Sequence, residues 1–134
     1  MRVAWVLAAL LGLAPAAWAE DPGAEIREVI SQQIEAMRAD DFATAFTFAA
    51  PDIQRMFGNP ARFGKMVREG YPMVWHPRDV RFLEAVTQDG GMVQGVLITD
   101  EAGALHVLDY EMVPLDDGWR IGGVRIRHAE GGGA

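Results

Sequence analysis

The spacing of apolar residues changes at Gly70, and this change divides the chain into two parts of different structure. Before Gly70, apolar residues recur every three or four positions, which is typical of one buried helix face. After it, short apolar runs separated by glycine-containing turns are typical of antiparallel strands. Helices that precede an antiparallel sheet define the α+β class. At 134 residues, the chain has the length of one domain with its own core.

The first two predicted helices meet at Asp40-Asp41. Asp21-Pro22 begins the first helix, because an N-cap acceptor precedes a proline at the first helical position, and the helix runs over residues 24–39. Asp40-Asp41 ends this helix and caps the second. The stretch from Asp40 to Pro51 contains three phenylalanines and four alanines. We expect it to lie across the mouth of the sheet with its rings buried.

A third helix is predicted over residues 60–69, where Asn59-Pro60 supplies the cap and the first-turn proline. Gly70 is expected to close this helix in the left-handed conformation. Before the helix, only a single helical turn is predicted, at residues 53–57. After it, the segment Met73-Val74-Trp75 is predicted to be extended.

Four antiparallel strands are predicted in the second part of the chain, separated by turns such as Asp89-Gly90-Gly91. They are predicted over residues 80–87, 92–99, 104–115 and 119–127. Gly95 and Gly122-Gly123 favour bends or bulges, which curve a sheet. We therefore predict an α+β fold in which three N-terminal helices pack on a curved antiparallel sheet of about four strands.

Residues 1–19 are predicted to be a signal peptide rather than part of the fold. Arg2 is followed by an apolar run over residues 3–13, and Ala17-Trp18-Ala19 fits the small-x-small cleavage pattern. The alternative is an uncleaved anchor, but the run is shorter than the roughly 20 residues that span a bilayer. We expect cleavage after Ala19 and a periplasmic or secreted protein that no longer contains a membrane-spanning segment.

The remaining residues are predicted to form one domain at 20–128 and a disordered glycine-rich tail at 129–134. The formal net charge of −7 disfavours nucleic acid as a partner, because an acidic surface repels phosphates. The chain contains no cysteine, which excludes disulfides and thiolate metal sites. Its histidines, His76, His106 and His128, lack the spacing of metal ligands. No cofactor and no metal is therefore predicted.

Several short stretches carry a resemblance to known families. They are Ala45 to Pro51, Phe57 to Phe63, Met66 to Pro72, Pro77-Arg78, Val80 to Phe82 and Tyr110 to Met112. These stretches resemble a bacterial family catalogued as domain of unknown function 4864. The long first helix and the closing strand at Gly118 to Ile121 resemble the cystatin-like, nuclear transport factor 2-like superfamily of cone-shaped folds. The resemblance covers nearly all of the mature chain and implies a fold but no activity.

One candidate site lies at the junction between the helices and the sheet. It combines aromatic, histidine and arginine side chains: Tyr71, Trp75, His76, Arg78 and Arg81. Arginine beside aromatic rings can clamp an anion, because the guanidinium binds carboxylates and stacks on rings. The alternative is an ordinary loop with solvated arginines.

A second candidate site lies on the third predicted strand, where His106 and Tyr110 share one face and Asp109 lies on the other. Periodicity leaves open which face lines the cone. His106 and Tyr110 pointing inward would form a polar spot in an apolar pocket. A buried Asp109 would have a raised pKa and would be a candidate base.

The leading hypothesis is a non-catalytic domain that binds a small apolar or amphipathic ligand, or a partner protein. The predicted pocket residues are Gln33, Met37, Phe46, Tyr71, Trp75, Arg78 and Tyr110. For Gln33, a boundary position that reaches solvent is the alternative. The second hypothesis is a small isomerase or dehydratase that uses His106 or Asp109 as base and Tyr110 as donor. The third is a structural homodimer.

Cleavage of the predicted signal peptide is directly testable. Mass spectrometry of the exported protein is expected to find Glu20 at the N-terminus. Replacing Ala19 with glutamate should block cleavage, because the pattern requires a small residue there. The control Trp18→Leu, at the unrestricted position, should be cleaved like the wild type. A wild-type protein that retains residues 1–19 would contradict the prediction.

Overall fold

In the computed structural model, residues 22–128 are described, and they form five helices and a four-stranded antiparallel sheet. The helices are α1 (Pro22–Arg38), α2 (Phe42–Thr47), α3 (Pro51–Phe57), α4 (Pro60–Gly70) and α5 (Pro72–Trp75). The strands are β1 (Asp79–Gln88), β2 (Gly91–Thr99), β3 (Leu105–Leu115) and β4 (Gly118–Arg127). The α+β class and the four-stranded antiparallel sheet are confirmed. The predicted signal peptide at 1–19 and tail at 129–134 lie outside the described residues.

The helical part contains two more helices than the three predicted from the sequence. The expected single turn is the seven-residue helix α3. The segment Met73-Val74-Trp75, predicted to be extended, belongs to α5 instead. Pro72 occupies the first turn of α5 and accepts a hydrogen bond from His76 N at 3.2 Å. The turn also buries Met73 and Val74 in the core, which local spacing could not reveal.

The sheet is a meander in which each strand pairs with its neighbour in sequence, in the order β1-β2-β3-β4. Its register shifts at two points. In β1, Leu83 and Glu84 lie opposite the single residue Gly95 of β2. In β4, the residues on either side of Gly122 pair with consecutive residues of β3, so Gly122 itself has no partner on that strand. Both predicted glycine sites therefore coincide with bulges, which bend strands and increase their twist.

The core lies between α1 and one face of the sheet. The apolar stripe of α1 is buried, with Ile26 and Ile30 fully inaccessible. On β3, Leu108, Tyr110 and Met112 are buried in the same cluster. These positions alternate with side chains on the opposite face, as strand geometry requires. The face buried by α1 is therefore the inner face of the sheet.

The capping role predicted for Asp40-Asp41 is confirmed. Asp41 Oδ1 accepts a hydrogen bond from Thr44 N at 3.1 Å at the start of α2. Hydrogen bonds from Thr44 lower the pKa of Asp41 below its ordinary value. Asp40 instead accepts a hydrogen bond from Trp75 Nε1 at 2.9 Å, which ties the end of α1 to α5.

Two backbone hydrogen bonds join the connection between α2 and α3 to strand β4. Ala50 N donates to Ile121 O and Ile121 N donates to Phe48 O, both at 2.8 Å. Gln54 supports the same connection, because its Nε2 donates to Phe46 O and to Ala49 O at 3.0 Å. This backbone bridge adjoins the bulge at Gly122 and positions α3 beside the last strand.

Substitutions at two glycines of α4 can show how tightly α4 packs against α2. A Cβ atom added at Gly64 would lie 2.9 Å from Cγ of the Phe42 ring, whereas one added at Gly70 would meet no atom within 4 Å. Gly70 ends α4 without the positive φ predicted for it. Since both changes to alanine raise helix propensity, their difference measures the packing at Gly64.

We expect Gly64→Ala to be less stable than Gly70→Ala by about 1–3 kcal/mol, the usual cost of overpacking a filled core. Urea denaturation of the two variants and the wild type measures this difference. Equal free energies of unfolding for the two variants would contradict close packing of α2 on α4.

Candidate ligand cavity

A cavity of about 340 Å³ lies beneath α3 and α4, between α1 and the end of the sheet formed by β3 and β4. Its volume falls in the lower part of the range of ligand pockets, about 300–1,000 Å³. The lining side chains come from every part of the fold except β1, β2 and α2. They are Gln33, Met37, Ala49, Ile53, Met56, Phe57, Phe63, Met66, Val67, Tyr71, Val74, Tyr110, Ile121, Gly123 and Val124.

The walls of the cavity are mostly apolar, and none of the lining residues carries a charge. Phe63 is held in place by two rings, with Phe57 at 5.9 Å in an edge-to-face arrangement and Phe46 at 5.4 Å between centroids. Met56 both lines the cavity and is 68% exposed, so the cavity opens to solvent beside α3. Water that enters this cavity meets few hydrogen-bonding partners, which favours its displacement by an apolar molecule.

Three polar side chains interrupt the apolar walls: Gln33, Tyr71 and Tyr110. Tyr71 donates its hydroxyl hydrogen to Val124 O at 3.0 Å. Gln33 is 4% exposed, and its Nε2 donates to Ala45 O at 3.1 Å. Gln33 therefore does not reach solvent, although a boundary position was the alternative for it. No residue between 22 and 128 donates a hydrogen bond to its Oε1.

Tyr110 is the most deeply buried of the three, with 1% of its surface exposed. Burial raises the pKa of its phenol above the ordinary value, and the proximity of Tyr71 adds to the effect. Within the described part of the chain, its hydroxyl has no hydrogen-bonding partner. Since buried hydroxyls are normally paired, this one is available to a bound molecule.

Gln94 is another buried glutamine, but its side chain binds the backbone of the sheet and does not line the cavity. It pairs with Tyr110 across β2 and β3 and is fully inaccessible. Its Nε2 donates to Leu83 O and Gly95 O, both at 2.8 Å, and so binds the strand at the bulge of β1. Its Oε1 is buried and makes no hydrogen bond to a residue in the described range.

Four of the seven predicted pocket residues line the cavity: Gln33, Met37, Tyr71 and Tyr110. The other three, Phe46, Trp75 and Arg78, do not line it. Phe46 lies behind Phe63 and supports the wall. Trp75 packs beside Arg68, whose guanidinium lies 5.8 Å from its ring centroid.

The predicted anion clamp at the junction is not assembled. Tyr71 turns into the cavity, and Trp75 is held by Asp40. Arg78 follows α5, and its backbone N donates to Thr99 O at 2.8 Å. Arg81 is exposed on β1. Trp75 and His76 do pack together, with ring centroids 4.4 Å apart, but the guanidinium that lies near Trp75 is that of Arg68 rather than that of Arg78 or Arg81.

The three candidate catalytic residues of β3 are also separated. Asp109 lies on the outer face of the sheet and binds Arg127 Nη2 at 2.6 Å, and this carboxylate raises the pKa of Arg127. His106 lies toward the β2–β3 turn, where its Nε2 is 2.8 Å from Asp100 Oδ2. This hydrogen bond with His106 is the main cause of the lowered pKa of Asp100. Tyr110 alone lines the cavity.

Sequence reasoning missed the helical contribution to the cavity. Apolar residues of α3 and α4 form much of its roof: Ile53, Met56, Phe57, Phe63, Met66 and Val67. Their spacing did predict two apolar helix faces. It did not indicate that the two faces enclose a space, because that depends on where the backbone bridge to Ile121 holds α3.

Residues 22–128 contain no cluster of three or more histidine, aspartate or glutamate side chains arranged to hold a metal ion. Over the same range, no helix combines the length and the apolar character needed to cross a membrane.

Comparison with known proteins identifies the family of the chain. A family model described as Domain of unknown function (DUF4864) matches residues 19–134. No curated protein matches the chain.

The burial of Tyr110 predicts a pH dependence of stability. The unfolded phenol loses its proton near a pKa of about 10, whereas the folded one keeps it to higher pH. Stability is therefore intact below pH 10 and falls above it, by about 1.4 kcal/mol for each pH unit. Tyr110→Phe lacks this loss, so the difference in free energy of unfolding between the two proteins should shift in favour of the variant as the pH rises above 10. Denaturation between about pH 9 and 11 measures the difference. Parallel pH profiles would contradict the buried position of Tyr110.

Proposed function

We propose that this chain, which belongs to the family described as Domain of unknown function (DUF4864), binds a small apolar or amphipathic molecule in the cavity beneath α3 and α4. The observation that carries the proposal is the unpaired hydroxyl of Tyr110 at the wall of an otherwise apolar cavity. Apolar walls with a few polar groups are the usual composition of a small-molecule site. The role is that of a binding protein rather than a catalyst.

The fold proposed for this binding protein is the cone of the cystatin-like, nuclear transport factor 2-like superfamily. Three features support it: helices precede the meander, bulges interrupt β1 and β4, and the connection between α2 and α3 pairs with Ile121. In such a cone the helices cross the mouth of a bent sheet, and the space beneath them receives the ligand.

The proposed site of action is outside the cytoplasm. The support is the signal-peptide pattern of residues 1–19, with its apolar run and small residues at the cleavage position. An exported protein with an apolar cavity meets molecules of the cell envelope or of the surroundings. Residues 20–128 are proposed to act there as one domain.

The isomerase alternative has less support than binding. A base that removes a proton from a bound substrate must lie within hydrogen-bonding reach of it. Asp109 is on the opposite face of β3 from Tyr110, and His106 lines a different depression beside Asp100. The partner-protein and homodimer alternatives would use the outer sheet face, where Val86 and Leu105 are exposed. Val86 and Leu105 lie at opposite ends of that face, whereas the cavity residues line one space.

A matched pair of tryptophan variants tests the proposal. Ile53→Trp places a large ring inside the cavity, and Leu105→Trp places the same ring at a position that is 67% exposed on the sheet. The probe is N-phenyl-1-naphthylamine, an uncharged dye whose fluorescence rises in apolar surroundings. We expect Ile53→Trp to weaken dye binding by about tenfold or more, and Leu105→Trp to bind like the wild type.

Thermal unfolding of both variants establishes that they are folded. A wild-type protein that binds neither the dye nor any uncharged amphiphile would contradict the proposal. Equal dye binding by the wild type and a folded Ile53→Trp variant would show that the dye binds elsewhere, and would also contradict it.

A further inference from the structure

We infer that the ligand is an uncharged aliphatic alcohol, whose hydroxyl accepts a hydrogen bond from Tyr110 and donates one to Gln33. This inference rests on the binding function proposed above and specifies the chemical class of the ligand. The Asp109 carboxylate in the outer-face depression is bound to Arg127, and His106 is bound to Asp100, whereas the Tyr110 hydroxyl at the cavity wall is unpaired within residues 22–128.

The free hydrogen-bonding capacity of the cavity defines the polar group of the ligand. Tyr110 is 1% exposed and its hydroxyl is unpaired within residues 22–128. Gln33 uses its amide nitrogen on Ala45 O, which leaves Oε1 as an acceptor. A ketone or ether would satisfy the Tyr110 donor but would leave Gln33 Oε1 without a hydrogen. A hydroxyl is the smallest uncharged group that both donates and accepts.

The charge of the ligand follows from the absence of any cation in the lining. A carboxylate or phosphate entering the cavity would lose its water and would find no arginine or lysine to replace it. An ammonium group would likewise find no carboxylate. The same burial that raises the pKa of Tyr110 disfavours any negative charge at that place. The cavity therefore selects an uncharged polar group.

The rest of the lining favours a flexible aliphatic chain. Three methionines, Met37, Met56 and Met66, lie around the cavity. Methionine side chains are unbranched and adapt to irregular apolar shapes. With about 340 Å³ available, the cavity suits a short to medium chain that enters beside the exposed Met56.

The test compares ligands that differ only in the polar group. Protein purified after expression of the full-length chain is loaded with N-phenyl-1-naphthylamine, and 1-octanol or octanoate is added to displace the dye. At pH 8, where octanoate is ionised, we expect octanol to bind about tenfold more tightly or better. Octanoate should gain affinity as the pH falls toward its own pKa, whereas octanol should not.

Two variants test whether the Tyr110 hydroxyl determines the affinity for octanol. Tyr110→Phe removes the unpaired hydroxyl and should weaken octanol binding by about fivefold. Leu105→Trp is the control, because its position on the outer sheet face lies outside the cavity. It should retain the preference for octanol over octanoate.

The outcomes separate this inference from the proposed function. If neither the dye nor either ligand binds, the binding function itself fails. If octanoate binds at pH 8 as tightly as octanol, or if a folded Tyr110→Phe variant binds octanol unchanged, the inferred ligand class is overturned while the binding function stands.

Discussion

The backbone hydrogen bonds between the α2–α3 connection and Ile121 determine where the cavity lies. They are two N–H···O bonds of 2.8 Å, and they pair a helical segment with the last strand. Because the connection is held against β4, α3 packs on the end of the sheet beside α4. The space that remains under α3 and α4 is closed on its other sides by α1 and the inner face of β3. Gln54 reinforces the arrangement from within α3.

The chemistry of the cavity follows from strand alternation. The inner face of β3 carries Leu108, Tyr110 and Met112, so one phenol is placed among apolar side chains. The next residue, Asp109, is directed to the outer face, where Arg127 binds it. Strand β3 thus places an uncharged hydroxyl at the cavity wall and a carboxylate on the outer face, where it pairs with Arg127 of β4. Alternation separates the two groups, although they are adjacent in sequence.

Much of the fold was predictable because it depends on local patterns, whereas the site depends on tertiary geometry. The four strands and the cap at Asp41 follow from alternation, turn residues and helix-start chemistry, which act within a few residues. The bulges at Gly95 and Gly122 follow from the need for small residues at such sites. The helix α5 was missed because its turn is favoured by burial of its apolar residues, a tertiary effect. Trp75 donates a hydrogen bond to Asp40 at the end of α1 and does not line the cavity, although its neighbour Val74 does.

A crystal structure of the protein under xenon pressure tests most directly whether a hollow lies beneath α3 and α4. Xenon occupies dry apolar cavities without needing hydrogen bonds. The account predicts xenon density between Phe57, Phe63 and Tyr110. Side chains of α3 and α4 packed against the inner sheet face, with no xenon between them, would contradict it.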